Sequence, residues 1–278
     1  MSQFSADYAQ RFGGTARLYG QQALGVFSRA HVCVIGIGGV GSWAAEALAR
    51  TGIGAITLID MDDVCVTNTN RQIHALREQV GQPKTEVMAA RIASINPECV
   101  VTCVDDFISA ENVANLLDRG FDYVIDAIDS VGPKAALLSY CRRYKIPVVT
   151  TGGAGGQIDP TRIEVVDLAK TIQDPLAAKL RERLKNDFGV TKNNKGKLGI
   201  DCVFSSEPLM YPQADGSVCA SRATAEGPKK MDCASGFGAA TMVTATFGFV
   251  AVSHVLKKMI AKSQREATEA AKSAATTA

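Results

Sequence analysis

The 278-residue chain lacks the paired Cys-x-x-Cys spacing through which many proteins bind structural zinc. Its eight cysteines are scattered, and the nearest pair, Cys99 and Cys103, lies in an apolar run. We therefore expect no bound zinc. Cysteines without a framework spacing in a chain of this length also predict free thiols and a reducing, cytoplasmic location.

The first thirty residues contain no long apolar run, so a secretory signal is not expected. One later stretch, residues 233–256, contains no charged group when His254 is neutral, and hydropathy alone would suggest a membrane span. This stretch is rich in glycine and threonine and poor in leucine and isoleucine. We interpret it as a glycine-rich helix buried on all sides in protein, and we favour no membrane partner.

The chain carries little net charge, because its 30 basic residues nearly balance its 28 acidic residues. The basic residues are locally clustered, however, between residues 179 and 197. Such clusters attract phosphate backbones, although a solvated helix face is the alternative. The seven basic residues of this segment are Lys179, Arg181, Arg183, Lys185, Lys192, Lys195 and Lys197.

A glycine-rich loop is the most informative feature that is present. It follows a predicted buried strand (31–35) and precedes a predicted helix beginning near Ser42, and a second strand (55–59) ends in Asp60. This order indicates an adenine nucleotide, with its phosphates at the helix end and its ribose on Asp60. The loop has the spacing G-x-G-x-x-G with one additional glycine, and its members are Gly36, Gly38, Gly39 and Gly41.

The polar residues after the loop favour ATP over a nicotinamide dinucleotide. Arg71 and Lys84 together supply more positive charge than the two phosphates of a dinucleotide need. Asp129 follows a predicted strand, where its carboxylate can hold Mg²⁺ beside a triphosphate. Each residue alone has a plain alternative as a solvated or salt-bridged side chain. The full set predicted to line the crevice is Asp60, Asp62, Asn68, Asn70, Arg71, Gln72, Lys84, Asp126 and Asp129.

Alternating elements in the first 150 residues predict an α/β fold with a Rossmann-like, doubly wound, mostly parallel sheet. We expect a C-terminal extension that carries antiparallel strands and the buried glycine-rich helix. Further predicted strands are 100–104, 122–128, 146–150 and the antiparallel 162–166, and predicted helices are 84–94, 110–118 and 133–143.

The chain divides into four predicted regions. These are an N-terminal helical arm (1–30), a nucleotide-binding α/β domain (31–167), a C-terminal part of the same unit (168–262) and a disordered tail (263–278). In the third region a helix is expected to begin at Asp174, to bury Leu176, Leu180, Leu184 and Phe188 on one face, and to end at Gly189.

Five of these motifs together resemble the ThiF/MoeB superfamily of adenylating enzymes, which includes relatives of ubiquitin activators. They are the glycine loop, Asp60 with Asp62, the run 68–72, Lys84, and Asp126 with Asp129. Residues 11–20, 150–157 and 231–239 are similar to one branch, the tRNA-modifying dehydratases that act on threonylcarbamoyladenosine. The likeness covers residues 4–260.

The resemblance implies a role for each group. The segment from Gly36 to Ser42 would cradle the nucleotide, Asn68, Arg71 and Lys84 would hold the triphosphate, and Asp129 would bind Mg²⁺ or position the α-phosphate. An N-terminal arginine, Arg11 or Arg17, would complete the active site of the other subunit in a homodimer. Cys233 is either a transfer thiol or a structural cysteine. With this family in view, we expect the 179–197 segment to contact tRNA.

The implied activity is adenylation of the threonyl carboxylate by ATP, followed by ring closure and release of AMP. A second hypothesis is an activator of a ubiquitin-like or sulfur-carrier protein, within a relay that includes a cysteine desulfurase and a sulfur acceptor. A nicotinamide-dependent dehydrogenase is the third, which Arg71 and Lys84 disfavour.

Overall fold

Seven strands form one sheet in the order β3-β2-β1-β4-β5-β7-β6. The structure is a computed structural model, and it describes residues 4–213, 215–220 and 237–277. The strands of this sheet are β1 (His31–Ile35), β2 (Ala55–Ile59), β3 (Val100–Val104), β4 (Tyr123–Asp126), β5 (Val148–Thr151), β6 (Ile163–Asp167) and β7 (Asp201–Ser205). A separate hairpin pairs β8 (Tyr211–Pro212) with β9 (Val218–Cys219).

Eight α-helices lie among the described residues. They are α1 (Ala6–Tyr19), α2 (Gln21–Arg29), α3 (Gly41–Thr51), α4 (Lys84–Ile95), α5 (Val113–Leu117), α6 (Val131–Tyr144), α7 (Pro175–Phe188) and α8 (Thr241–Thr277). Within the seven-stranded sheet, all pairs of neighbouring strands are parallel except β6 with β7. The predicted α/β, doubly wound and mostly parallel sheet with an antiparallel extension is therefore confirmed.

Three elements differ from the sequence-based prediction. Strand β7 was missed, and it lies between β5 and β6, parallel to one and antiparallel to the other. Strand β4 ends at Asp126 rather than at residue 128, and α5 is only five residues long. The backbone N–H of Ile128 donates to Asp126 Oδ1 just after β4, and the backbone N–H of Ser109 donates to Asn112 Oδ1 just before α5. Such local side-chain hydrogen bonds compete with regular secondary structure.

The predicted ends of α7 are confirmed. Asp174 caps it by accepting from the Ala177 N–H at 2.9 Å, and Gly189 ends it with a positive φ of 64°. The predicted apolar face is only partly right. Leu180 and Leu184 are buried, whereas Phe188, in the last turn, remains 37% exposed.

Helix α8 begins as the predicted core helix. Val243, Phe247 and Ala251 are buried, and a Cβ on Gly248 would lie 2.7 Å from the Val40 carbonyl oxygen, so glycine permits close packing on α3. The prediction that this helix is buried on all sides was wrong, because Met242 and Phe249 are exposed.

Helix α8 is also the one described helix long and apolar enough to cross a membrane, over Thr241–Ser273. However, 56% of its most apolar window is buried inside the protein. This burial is typical of a core helix in a soluble protein.

The prediction of a disordered tail from residue 263 was wrong, because α8 continues through it to Thr277. Six of the sixteen residues from 263 to 278 are alanine, which has the highest helix propensity. Because this segment has few bulky side chains, the end of α8 stays exposed to solvent, but it remains helical.

Candidate active site

The glycine loop makes a tight turn between β1 and α3. Gly36 has a φ of +86°, and a Cβ there would lie 2.9 Å from the Ala127 carbonyl oxygen. A Cβ on Gly41 would lie only 1.8 Å from the Gly36 carbonyl oxygen. Only glycine therefore allows the N-terminal end of α3 to approach so closely, which leaves its backbone N–H groups available to a phosphate.

Two buried polar atoms beside this loop have no hydrogen-bond partner within the described part of the chain: Ser42 Oγ and Gln72 Oε1. The Gln72 amide nitrogen lies 4.0 Å from the position that a Cβ on Gly38 would take. Buried polar groups without partners cost free energy. A bound nucleotide or its water can satisfy both groups, so these residues fit the predicted phosphate cradle.

Asp60 lies at the carboxyl end of β2, next to the loop. Its carboxylate accepts from the backbone N–H groups of Ile37 (2.5 Å) and Asp62 (2.8 Å). Burial raises the pKa of Asp60, and the Lys84 ammonium group, 4.0 Å away, opposes that rise. A carboxylate held in this way is oriented to accept a hydroxyl of a ribose.

Lys84 is the first residue of α4 and its side chain is 7% exposed. Its Nζ lies 2.7 Å from Asp62 Oδ2, and its backbone N–H donates to the Asp62 carbonyl oxygen at 3.0 Å. The sequence-based prediction that Lys84 opens a helix is confirmed. This buried cation is fixed beside the glycine loop by two interactions with one residue.

Arg71 lies across the glycine loop, since a Cβ on Gly39 would be 3.2 Å from Arg71 Cγ. Its guanidinium group donates to the Thr67 carbonyl oxygen (2.9 Å) and to Asn70 Oδ1 (3.0 Å). Its own carbonyl oxygen accepts from the Trp43 indole N–H at 3.0 Å. The backbone and the side chain of Arg71 are therefore both held in place.

The two asparagines of this run support the site from behind. Asn68 is buried, and its Oδ1 accepts from the Cys65 N–H at 2.9 Å. Asn70 donates through Nδ2 to the Ala239 carbonyl oxygen at 2.9 Å, which joins the Arg71 loop to the segment before α8. Within the described chain, the side-chain amides of both residues bond to protein backbone.

Asp126 does not face the crevice, which corrects its predicted place among the nucleotide ligands. Its side chain is 0% exposed and lies 3.0 Å from the Lys134 ammonium group. It also accepts from Thr150 Oγ1 at 2.7 Å and from the Ile128 N–H at 3.1 Å. A carboxylate with these three partners and no exposed surface is part of the protein interior.

Lys134 is the residue that sequence reasoning missed. It donates to the Ile128 carbonyl oxygen at 2.8 Å as well as to Asp126, and so fixes the turn that carries Asp129. Asp129 is exposed at the carboxyl end of β4, between that strand and α6. The available signal was a lysine in the first turn of α6, directly before an apolar run of four residues.

The remaining predicted residues lie elsewhere. Arg11 pairs with Asp7 at 2.6 Å on α1, and Arg17 is exposed on the same helix. Tyr8 of α1 bonds to the Gly52 carbonyl oxygen, at the end of α3 opposite the glycine loop. Helix α1 is therefore anchored at the end of α3 that lies farther from the glycine loop. Cys233 falls outside the described residues.

The seven basic residues of the 179–197 segment lie on α7 and on the following loop. Two of them are engaged within the protein: Arg181 donates to the Leu168 and Thr171 carbonyl oxygens at 3.4 and 3.3 Å, and Arg183 pairs with Asp187. The others, Lys179, Lys185, Lys192, Lys195 and Lys197, are exposed.

This fold and crevice define a Rossmann-like nucleotide-binding enzyme of the adenylating class. The chain matches the ThiF family over residues 14–277 and belongs to that family. It is 78% identical, over 93% of its length and 97% of the relative, to the tRNA threonylcarbamoyladenosine dehydratase of Escherichia coli (strain K12). The protein of that name from Haemophilus influenzae is 58% identical over 92% of this chain and 95% of the relative.

A solved structure of a relative supports the same family assignment. The E. coli tRNA N6-threonylcarbamoyladenosine dehydratase, TcdA, in complex with ATP, superposes with a TM-score of 0.85. It is 71% identical and covers 94% of this chain and 98% of its own. The resemblance predicted from the motifs, to this branch of the superfamily, is confirmed.

Proposed function

We propose that this protein uses ATP to dehydrate and cyclise threonylcarbamoyladenosine in tRNA. The observation that carries the proposal is the group of Arg71, Lys84 and Asp129 around a glycine loop with unpartnered buried polar atoms. The relatives named above support the choice of substrate, and the relative solved with ATP supports the nucleotide.

The chemistry follows from the weakness of a carboxylate as an electrophile. An oxygen of the threonyl carboxylate attacks the α-phosphorus of ATP and displaces pyrophosphate, which forms an acyl-adenylate. Arg71 and Lys84 stabilise the charge that develops on the leaving pyrophosphate. Fixed positions of both cations matter more here than basicity, because phosphoryl transfer depends on alignment and electrostatics.

Ring closure completes the reaction. The neighbouring carbamoyl group attacks the activated carbonyl carbon and expels AMP, which carries away one carboxylate oxygen, while the carbamoyl group loses a proton. The net change is the loss of one water from the nucleoside. An attack within one molecule needs orientation more than a protein nucleophile, so no thiol is required from Cys233.

Magnesium would enter with the nucleotide. Among the described residues, no group of three or more histidine, cysteine, aspartate or glutamate side chains converges on one point. One exposed carboxylate, Asp129, fits this ion, because Mg²⁺ commonly takes one or two protein carboxylates together with phosphate oxygens. Asp129 would hold the ion, and the positive charge of the ion would offset part of the negative charge of the phosphates.

A homodimer would explain the position of the N-terminal arginines. Helix α3 has eleven residues and so separates its two ends by roughly 16 Å. Arg17 is the better candidate to reach a partner's crevice, since Arg11 already pairs with Asp7. We propose a cytoplasmic location for the enzyme, and we keep a sulfur-transfer partner as a separate hypothesis.

Mass spectrometry of nucleosides tests this function directly. Purified protein is incubated with ATP, magnesium and tRNA that carries threonylcarbamoyladenosine, and a parallel sample contains no ATP. We expect a product lighter by one water only with ATP, together with AMP. Unchanged nucleosides, with pyrophosphate exchange that depends on the C-terminus of a carrier protein, would support the carrier-activator hypothesis instead.

A further inference from the structure

A second charged groove lies at the amino end of the sheet, away from the glycine loop. It has a volume of about 620 Å³ and runs between the edge strand β6 and helix α8. Three lysines from three separate elements line it: Lys170, Lys197 and Lys258. His254 and the backbone of Gly199 complete its wall.

Two aspartates face each other across the strands at the end of this groove. Asp167 and Asp201 are paired in the register of β6 and β7. Like charges directly opposite each other destabilise a sheet, so such a pair needs compensating partners. Both carboxylates have them, and these partners hold the cationic elements in place.

Asp167 accepts three backbone hydrogen bonds. They come from Ala169 (2.9 Å), in the turn that carries Lys170, and from Leu198 (2.9 Å) and Gly199 (2.8 Å), in the loop that carries Lys197. Among the described residues, neither Lys170 nor Lys197 forms an ion pair. Asp167 therefore brings two lysines to the groove without neutralising either ammonium group by contact.

Asp201 holds the third element. Its Oδ2 lies 2.8 Å from His254 Nε2 and 2.9 Å from Lys258 Nζ, both on α8. The side chain of Lys258 is 51% exposed and that of Asp201 is 34% exposed. Lys258 therefore keeps donor capacity toward the groove, since one ammonium group has three N–H donors.

The chemistry suits a polyanion with separated charges. The lysines come from three elements along an open groove, and the exposed Lys192 and Lys195 continue the same loop. A ribose–phosphate backbone matches this arrangement, and phosphate contacts position a nucleic acid without reading its sequence. Helix α7 is less suited, because Arg181 and Arg183 already bond to protein.

We propose that Lys170, Lys197 and Lys258 form a docking groove for the phosphate backbone of the tRNA substrate, outside the modified nucleotide. This inference rests on the proposed function. The five-residue strands that separate the groove from the crevice are about 17 Å long. Ten base pairs of a nucleic-acid duplex are on the order of 30 Å long, so one tRNA can span this distance.

A triple variant, Lys170→Gln with Lys197→Gln and Lys258→Gln, tests the groove. Binding of tRNA to the full-length protein is measured by fluorescence anisotropy over a range of salt concentrations. We expect affinity to fall at least about tenfold near 0.1 M salt, and the slope of log affinity against log salt to fall by about 2 to 3. The KM for tRNA should rise while kcat stays near that of the wild type.

The matched control removes the same charge elsewhere, with Arg77→Gln, Arg119→Gln and Arg265→Gln, which are exposed outside the groove. Equal affinity and equal salt slope in the two triple variants would overturn the proposal. Calorimetry with ATP should give the same affinity for both variants.

The two proposals can fail separately. If the wild-type protein does not dehydrate tRNA, the proposed function fails, whatever the groove variants do. If the wild type dehydrates tRNA and the groove variant binds it as well as the control does, only the docking groove fails.

Discussion

The two ends of the sheet hold their charged side chains in different ways. At the carboxyl end, Lys84 is 7% exposed and Lys134 and Asp126 are 0% exposed. At the amino end, Lys258 is 51% exposed and Asp201 is 34% exposed. Enclosed charges are little screened and keep fixed positions, which suits chemistry at one phosphorus atom. Exposed charges are screened and adjustable, which suits attachment to a long polyanion.

Removal of the buried lysine should give the largest effect. Lys134→Met strands the Asp126 carboxylate in the interior, and we expect a loss of about 3–5 kcal/mol in the free energy of unfolding. Urea denaturation measures it. Lys179→Met, on the exposed face of α7, should change stability by less than about 0.5 kcal/mol.

A second variant tests the reason for this loss. Adding Asp126→Asn to Lys134→Met removes the stranded charge and should restore part of the stability. If Lys134→Met alone stays within about 1 kcal/mol of the wild type, the ion pair does not support the crevice as described.

The exposed carboxylate of the crevice should matter for chemistry and not for stability. Asp129→Ala should abolish AMP formation, a loss of at least about a hundredfold, because the phosphates lose their positioning carboxylate. Its unfolding free energy should change by less than about 0.5 kcal/mol. Asp118→Ala, at an exposed position outside the crevice, is the matched control. Near-normal AMP formation with Asp129→Ala would remove this residue from the catalytic group.

Asn70 should have a smaller effect, since it acts through Arg71. Asn70→Ala frees one side of the guanidinium group and breaks the bond to the Ala239 carbonyl oxygen. Loss of such hydrogen bonds at an exposed residue should raise the KM for ATP about five- to tenfold, with kcat less affected. Steady-state kinetics measures the split. Asn186→Ala on α7 should leave both constants unchanged, and equal constants for Asn70→Ala would refute the positioning role.

At the amino end the expected effect is smallest and depends on pH. The hydrogen bond from His254, with Lys258, lowers the pKa of Asp201 from 3.8 to about 2. A depressed carboxyl pKa contributes stability above the unfolded value and loses it as pH falls through the folded value. Asp201→Asn should therefore lose about 1 kcal/mol at neutral pH, after discounting for solvent screening.

The difference between Asp201→Asn and the wild type should shrink as pH falls from 3.8 towards about 2. Urea denaturation across this range measures it. A difference that is constant with pH would show that the variant changes packing rather than the charge interaction.

Local sequence was sufficient for much of the nucleotide site. The glycine spacing and Asp60 predicted the loop, because the backbone demands of a tight turn are carried by the residues in it. The helix start at Lys84 could also be predicted from local sequence, since Pro83 precedes it. Asp126 and Asp129 were indistinguishable by these rules. Both follow an apolar run, and only Lys134 and Thr150, brought in by packing, separate them.

The sequence by itself determined the α/β class, the adenine-nucleotide loop and the cations that favour a triphosphate, because each depends on neighbours in the chain. Only the tertiary structure decided that β7 enters between β5 and β6 and sets Asp167 opposite Asp201. It also decided which carboxylates are buried with partners and which remain open. Those outcomes depend on contacts between residues far apart in the chain, and no local pattern encodes them.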